Sequence, residues 1–105
     1  MSLIYKILPR AEWEAACAKG LFEGSAVDLE DGFIHFSAAD QWAETLVKHF
    51  GGQTDLVIVA VEADLLGPDL KWEVSRGGAL FPHLYGAMPT ALAVTVTPVP
   101  DPGAA

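Results

Sequence analysis

The run Leu56-Val57-Ile58-Val59-Ala60-Val61 is apolar without interruption, and it constrains the fold more than any other stretch of the chain. Branched residues dominate it, and it is too short for an ordinary helix. A strand with one wet face would alternate polar and apolar residues, whereas this one offers apolar side chains to both faces. LVIVAV therefore predicts a central strand covered on each side.

A chain of 105 residues gives such a strand one domain to sit in, with a core over about residues 3–97. The tail PVPDPGAA, residues 98–105, is too rich in Pro, Gly and Ala to pack and is expected to fray. Fourteen acidic residues against six basic ones give a formal charge of -8, which argues against non-specific nucleic-acid binding and against an anionic membrane surface. A local basic pocket could still hold one small phosphorylated ligand. Cys17 stands alone, so no internal disulfide and no multi-cysteine zinc site can form. With no leader-like start and no apolar run approaching about 18 residues, a cytoplasmic location is expected.

Around the central strand the pattern is mixed. Leu3–Leu8 reads as a first strand ending at Pro9. Residues 10–19 read as a helix with Trp13, Ala16 and Cys17 on one stripe, acidic residues in its first turn and Gly20 as its stop. Residues 21–32 look loop-like, Asp31-Gly32 marks a turn, and 33–36 reads as a strand. Ser37, with Asp40 three residues on, is expected to cap a second helix with Trp42, Leu46, Val47 and Phe50 buried. Leu70–Ser75 alternates, with Leu70, Trp72 and Val74 on one face and Lys71, Glu73 and Ser75 on the other. A last strand is expected near 92–97. Two helices in the first half and a mostly β second half favour α+β over a doubly wound sheet.

Strand parity isolates the residues able to do chemistry. In DGFIHFS, Ile34 and Phe36 face one way, while Phe33, His35 and Ser37 face the other. An aromatic, an imidazole and a hydroxyl on one face suit a cleft lining; the competing reading is a structural histidine and a capping serine. In FPHLYG, His83 and Tyr85 share a side, as in a loop that presents side chains or a turn with a stacked His and Tyr. Glu73 is a third candidate, against the plain alternative of a solvated carboxylate paired with Lys71 or Arg76. No glycine-rich phosphate loop and no HExxH helix is present, and His35, His49 and His83 lack ligand spacing, so no metal is expected. Cys17, on an apolar stripe, is expected to be inert.

The words DGFIHFS, Gln41, LKWE and FPHLYG, together with the opening IYKI, resemble a small bacterial family catalogued as domain of unknown function 952 over nearly the whole chain. The resemblance implies an ADP-ribosyltransferase-like fold, with a split, strongly bent β core enclosing a cleft that holds NAD in the active members. It implies NAD or an ADP-ribose-like nucleotide as substrate or ligand, and an activity of the NAD-dependent ADP-ribosyl or related glycosyl transferase kind. The alternative is a non-catalytic module that keeps the cleft for a small metabolite or a protein. On this resemblance His35, Glu73 and His83 would be catalytic, Glu73 being the carboxylate that stabilises positive charge at the anomeric carbon and His35 hydrogen-bonding a ribose hydroxyl or a pyrophosphate oxygen. Tyr5, Lys6, Ser37, Gln41, Arg76 and Tyr85 would contact the nucleotide, with Lys6 or Arg76 neutralising phosphate and Tyr85 stacking on a ring. Where several relatives carry Tyr-His on the first strand, this chain has Tyr5-Lys6.

Overall fold

The LVIVAV run forms the middle strand of its sheet. A computed structural model describes residues 2–99, apart from the Arg76 side chain; the expected frayed tail lies largely outside that range. β4 (Leu56–Glu62) is flanked by β1 (Leu3–Pro9) and β8 (Ala93–Pro98), antiparallel to both. Its Val57, Val59 and Val61 join Ile4 and Leu8 of β1 in the main apolar core, which Trp13, Phe22, Ile34, Phe36, Leu84 and Met88 complete. The first sheet is thus the wall against which the rest of the chain packs.

The remaining strands form two further antiparallel sheets. β2 (Leu21–Phe22) pairs with β7 (Met88–Pro89), and β6 (Leu80–Leu84) runs between β3 (Ile34–His35) and β5 (Leu70–Val74). One antiparallel bridge joins the first sheet to the third: Tyr5 and Ser37 exchange backbone hydrogen bonds, each of 2.8 Å. Among the described residues three α-helices complete an α+β architecture: α1 (Arg10–Lys19), α2 (Ala26–Asp31) and α3 (Trp42–Phe50). No helix among the described residues is long and apolar enough to cross a membrane.

The structure departs from the sequence expectations in several places. The loop-like stretch 21–32 contains both β2 and α2, the helix opening with a capping box in which the Ser25 side chain and Asp28 each accept a backbone N–H. Val27 and Leu29 of α2 are exposed, so no apolar stripe announces this helix. Ser37 does not cap α3; it is buried at the bridge to Tyr5, and the helix begins at Trp42. The stripe expected to be buried on α3 is not: Trp42, Leu46 and Phe50 are half-buried and Val47 is 75% exposed. On α1, Trp13 and Ala16 are buried but Cys17 is exposed, because the helix rests on its sheet along a narrower line than three residues. FPHLYG is no presenting loop: Phe81–Leu84 lie in β6, the central strand of the third sheet. Finally, Trp72 and Val74 of β5 are exposed, Val74 at 69%, and only Leu70 of that apolar face packs against the core, while Glu73 meets His83 of β6.

Two glycines shape the backbone on either side of α2. Gly32 adopts φ 89° and ends the helix, turning the chain directly into the strand that carries His35. Gly24, at φ 126°, has no room for a side chain, since a β-carbon there would lie 2.9 Å from that of Asp28.

Candidate functional site

The site begins with a lysine on the wrong face of a strand. Ile4, Lys6 and Leu8 point the same way along β1, and Ile4 and Leu8 are fully buried in the core, so Lys6 is carried inside with them at 6% exposure. A buried ammonium needs an anion, and α2 supplies it. Lys6 Nζ lies 3.0 Å from Oδ1 and 2.9 Å from Oδ2 of Asp28, which is itself only 2% exposed. Burial pulls the Lys6 ammonium below its usual range, against the opposing pull of Asp28.

Asp28 is the hub of a larger network. Its Oδ1 accepts the backbone N–H of His35 at 3.1 Å and faces His35 Nδ1 at 2.6 Å, and its Oδ2 accepts the Ser25 N–H at 2.8 Å. Burial would raise the carboxyl, but the bonds from His35, Lys6 and Ser25 together outweigh it and hold Asp28 down at about 2. An ionised Asp28 requires the proton of His35 to sit on Nδ1, so the ring's orientation and tautomer are fixed from behind. Its other nitrogen, Nε2, lies 3.0 Å from Oδ2 of Asp31, a half-exposed carboxylate at the end of α2.

His83 is held in a parallel way. Its Nδ1 lies 2.8 Å from Glu73 Oε1 across the β5–β6 pair, and the Tyr85 hydroxyl donates to the same oxygen at 2.7 Å. The bonds from Tyr85 and His83 hold the Glu73 carboxyl below its ordinary range, and the contact with Glu73 raises the Tyr85 phenol above its own. Phe33 ties the two halves together: it stacks on His83 at 4.1 Å, tilts against His35 at 4.6 Å and meets Tyr85 at 5.2 Å. The two imidazoles are 5.6 Å apart, centre to centre.

Both imidazoles open on a cleft of about 530 Å³, within the range of small-molecule sites. Its walls are β1, through Tyr5 and Ile7; the bridge residue Ser37; and the α3 side, through Thr45, His49 and Phe50. Ser37 Oγ meets Thr45 Oγ1 at 3.1 Å across the cleft wall. All three histidines of the chain line this one cavity, and among the described residues Asp31 is the only carboxylate that does. Among the described residues, no group of three or more His, Cys, Asp or Glu could hold a metal ion.

Of the residues singled out in the sequence, Tyr5, Lys6, His35, Ser37 and His83 line the cleft. The Lys6 ammonium is nonetheless committed to Asp28, so the expected neutralisation of phosphate by Lys6 has no support here. Glu73 and Tyr85 stand behind His83 rather than in the cavity. Gln41 is structural in its contacts: its Oε1 accepts the Ala38 N–H and its Nε2 donates to the Leu80 carbonyl, fastening the start of α3 to β6. The Arg76 side chain lies outside the described part of the structure. Sequence reasoning missed Asp28, Asp31, Thr45 and His49. A Ser25-x-x-Asp28 capping signature and the i, i+4 spacing of Thr45 and His49 were the available signals.

Fold and site together define a class: small α+β proteins in which two antiparallel sheets meet at one bridge beside a cleft lined by carboxylate-backed histidines. Residues 7–96 match the model of a family described as a protein of unknown function (DUF952), and the chain belongs to that family. It is similar to the protein CC0527 from Caulobacter crescentus, whose X-ray structure is 57% identical in sequence with a TM-score of 0.94, the match covering 98% of this chain and 90% of that one. The solution NMR structure of CC0527 matches at 62% identity with a TM-score of 0.82, covering 92% of this chain and 84% of that one. No curated protein matches the chain.

Proposed function

We propose that the cleft binds a nucleotide of the NAD or ADP-ribose kind, and that the two sheets joined at Tyr5 and Ser37 are a form of the split, bent ADP-ribosyltransferase-like core. The observation that carries this reading is the convergence of His35 and Ser37 with His83, from segments distant in sequence, on one cavity that Tyr5 also lines. Hydroxyls and carboxylate-oriented imidazoles suit the hydroxyls of a ribose, and the aromatic rings of Tyr5 and Phe81 suit a base or nicotinamide. Fixing these donors in advance limits the entropy lost on binding.

Turnover is a separate question. Glycosidic cleavage develops positive charge at the anomeric carbon, and a carboxylate facing that carbon lowers the barrier. Glu73 is committed to His83 and Tyr85, which favours a second reading in which the cleft binds without cleaving. In either reading Glu73 is a positioning residue for His83.

Calorimetric titration with NAD and with ADP-ribose tests binding, and release of nicotinamide tests turnover. His35→Ala should weaken ADP-ribose binding by about 1–3 kcal/mol, the worth of a hydrogen bond to a charged or polar ligand group. Absence of binding by either nucleotide at millimolar concentration would remove the nucleotide reading. Binding unchanged in His35→Ala would remove His35 from the site.

A further inference from the structure

The distribution of charge around the cleft runs against that of the protein. A chain of formal charge -8 places all its histidines on one cavity, beside the buried Lys6–Asp28 pair, and among the described residues Asp31 is the one carboxylate in the lining. Asp31 occupies a particular place there. His35 Nδ1 is taken by Asp28 from behind, which leaves Nε2 as the ring atom available to a ligand, and Asp31 Oδ2 lies 3.0 Å from it. The Asp31 side chain is 46% exposed at the end of a short helix, just before Gly32, so it can swing away without disturbing the core. The buried hub on the other side of the ring has no such freedom.

We infer that the cleft takes its ligand anionic end first, a phosphate or carboxylate oxygen replacing the Asp31 carboxylate at His35 Nε2, so that Asp31 is a built-in competitor of the ligand. This deepens the proposed function, since it rests on the cleft being the ligand site and states which part of the ligand His35 reads. With Nδ1–H already given to Asp28, Nε2 donates to an anion when the ring carries its second proton. The charged and titratable groups around that ring include Asp28 and Asp31 from α2, Lys6 from β1, His83 from β6 with Glu73 behind it on β5, and His49 from α3 on the wall of the same cleft. Lys6 and Asp28 offset each other, which leaves Asp31 as the carboxylate facing Nε2. An exposed ion pair is cheap to give up, which suits a group meant to be displaced.

The test uses the intact chain at about pH 6, inside the range in which histidine charge can change, and follows the side-chain nitrogen resonances of His35 by NMR. Sulfate is the first probe because it does not titrate there, acetate the second, and adenosine the neutral control. Asp31→Asn should bind sulfate roughly two- to tenfold more tightly than the wild-type chain, with the His35 Nε2 signal moving in both. Asp31→Ala, which also removes the competing oxygen, should bind at least as tightly. Acetate responding in place of sulfate would identify a carboxylate as the preferred anion and uphold the inference. Equal or weaker sulfate affinity in both variants, or a sulfate response that leaves His35 unmoved, would overturn it. The two proposals separate cleanly. Adenosine and ADP-ribose binding equally well would defeat anion-first entry and leave the nucleotide reading standing. Sulfate binding tightened by Asp31→Asn, with neither NAD nor ADP-ribose binding, would defeat the nucleotide reading alone.

Discussion

Replacing Asp28 by Ala should destabilise this protein more than any other single change at the candidate site. The substitution leaves the Lys6 ammonium without its partner at 6% exposure, and it also frees the backbone N–H groups of Ser25 and His35 and the Nδ1–H of His35. Breaking a buried pair by removing one member costs about 3–5 kcal/mol, largely from the charge left behind. Against a total of about 5–15 kcal/mol for a domain, such a loss brings the fold near its limit. Lys6→Met should cost less, about 1–3 kcal/mol, because Asp28 keeps the Ser25 and His35 donors.

The pH dependence gives a second measure of the same residue. The folded Asp28 carboxyl, at about 2, lies below its ordinary value of 3.8, so its contribution is fully present above that value and is lost as pH falls towards 2. The gap corresponds to about 2 kcal/mol. Urea unfolding of the two chains, extrapolated linearly to water, should therefore show the stability difference between wild type and Asp28→Ala narrowing by about 2 kcal/mol between pH 5 and pH 2. A difference under about 1 kcal/mol at pH 7, or one that stays constant with pH, would refute the role assigned to Asp28.

Tyr85 should ionise above the ordinary tyrosine value of 10.0, and Glu73→Gln should bring it back down; ultraviolet titration in a Tyr5→Phe background reads this, and an unmoved titration would deny the Tyr85–Glu73 bond. Because Glu73 is held below its usual value, its contribution is present above that value and is lost on acidification. Cys17, exposed on α1, should react stoichiometrically with a disulfide reagent in the folded protein, and a need for denaturant would show it to be covered.

The parts of the fold legible in the sequence were those whose signal is local. Helix 10–19 coincides with Arg10–Lys19, and the uninterrupted LVIVAV run had to be covered on both faces, as it is in β4. Helix α2 was missed because six residues with exposed Val27 and Leu29 carry no periodic stripe; its one local mark was the capping pair Ser25 and Asp28. For the site, parity placed Ile34 and Phe36 in the core and left His35 and Ser37 facing the cleft wall. Parity along β1 would likewise have put Lys6 beside Ile4 and Leu8, as an interior cation in need of an acid. The identity of that acid was not legible, because Asp28 is 22 residues away and reaches Lys6 only through tertiary packing. The contacts of Gln41 were not legible either, since its side chain joins the Ala38 N–H to the Leu80 carbonyl, 39 residues away in sequence.

The bridge between Tyr5 and Ser37 has a thermodynamic consequence. The first sheet is zipped along all of β1 and β4, whereas its union with the third sheet at this point rests on a pair of reciprocal hydrogen bonds flanked by the packing around them. Tyr5 and Ser37 both line the cavity, so an occupant that contacts the two of them spans the join. A ligand held there acts as a rivet: by mass action it favours the joined state by RT ln(1 + [L]/Kd), and the weaker the join, the more of its binding energy is spent closing it. Substitutions that loosen the seam without touching the ligand will therefore register as lost affinity, and a good ligand will register as a rise in melting temperature.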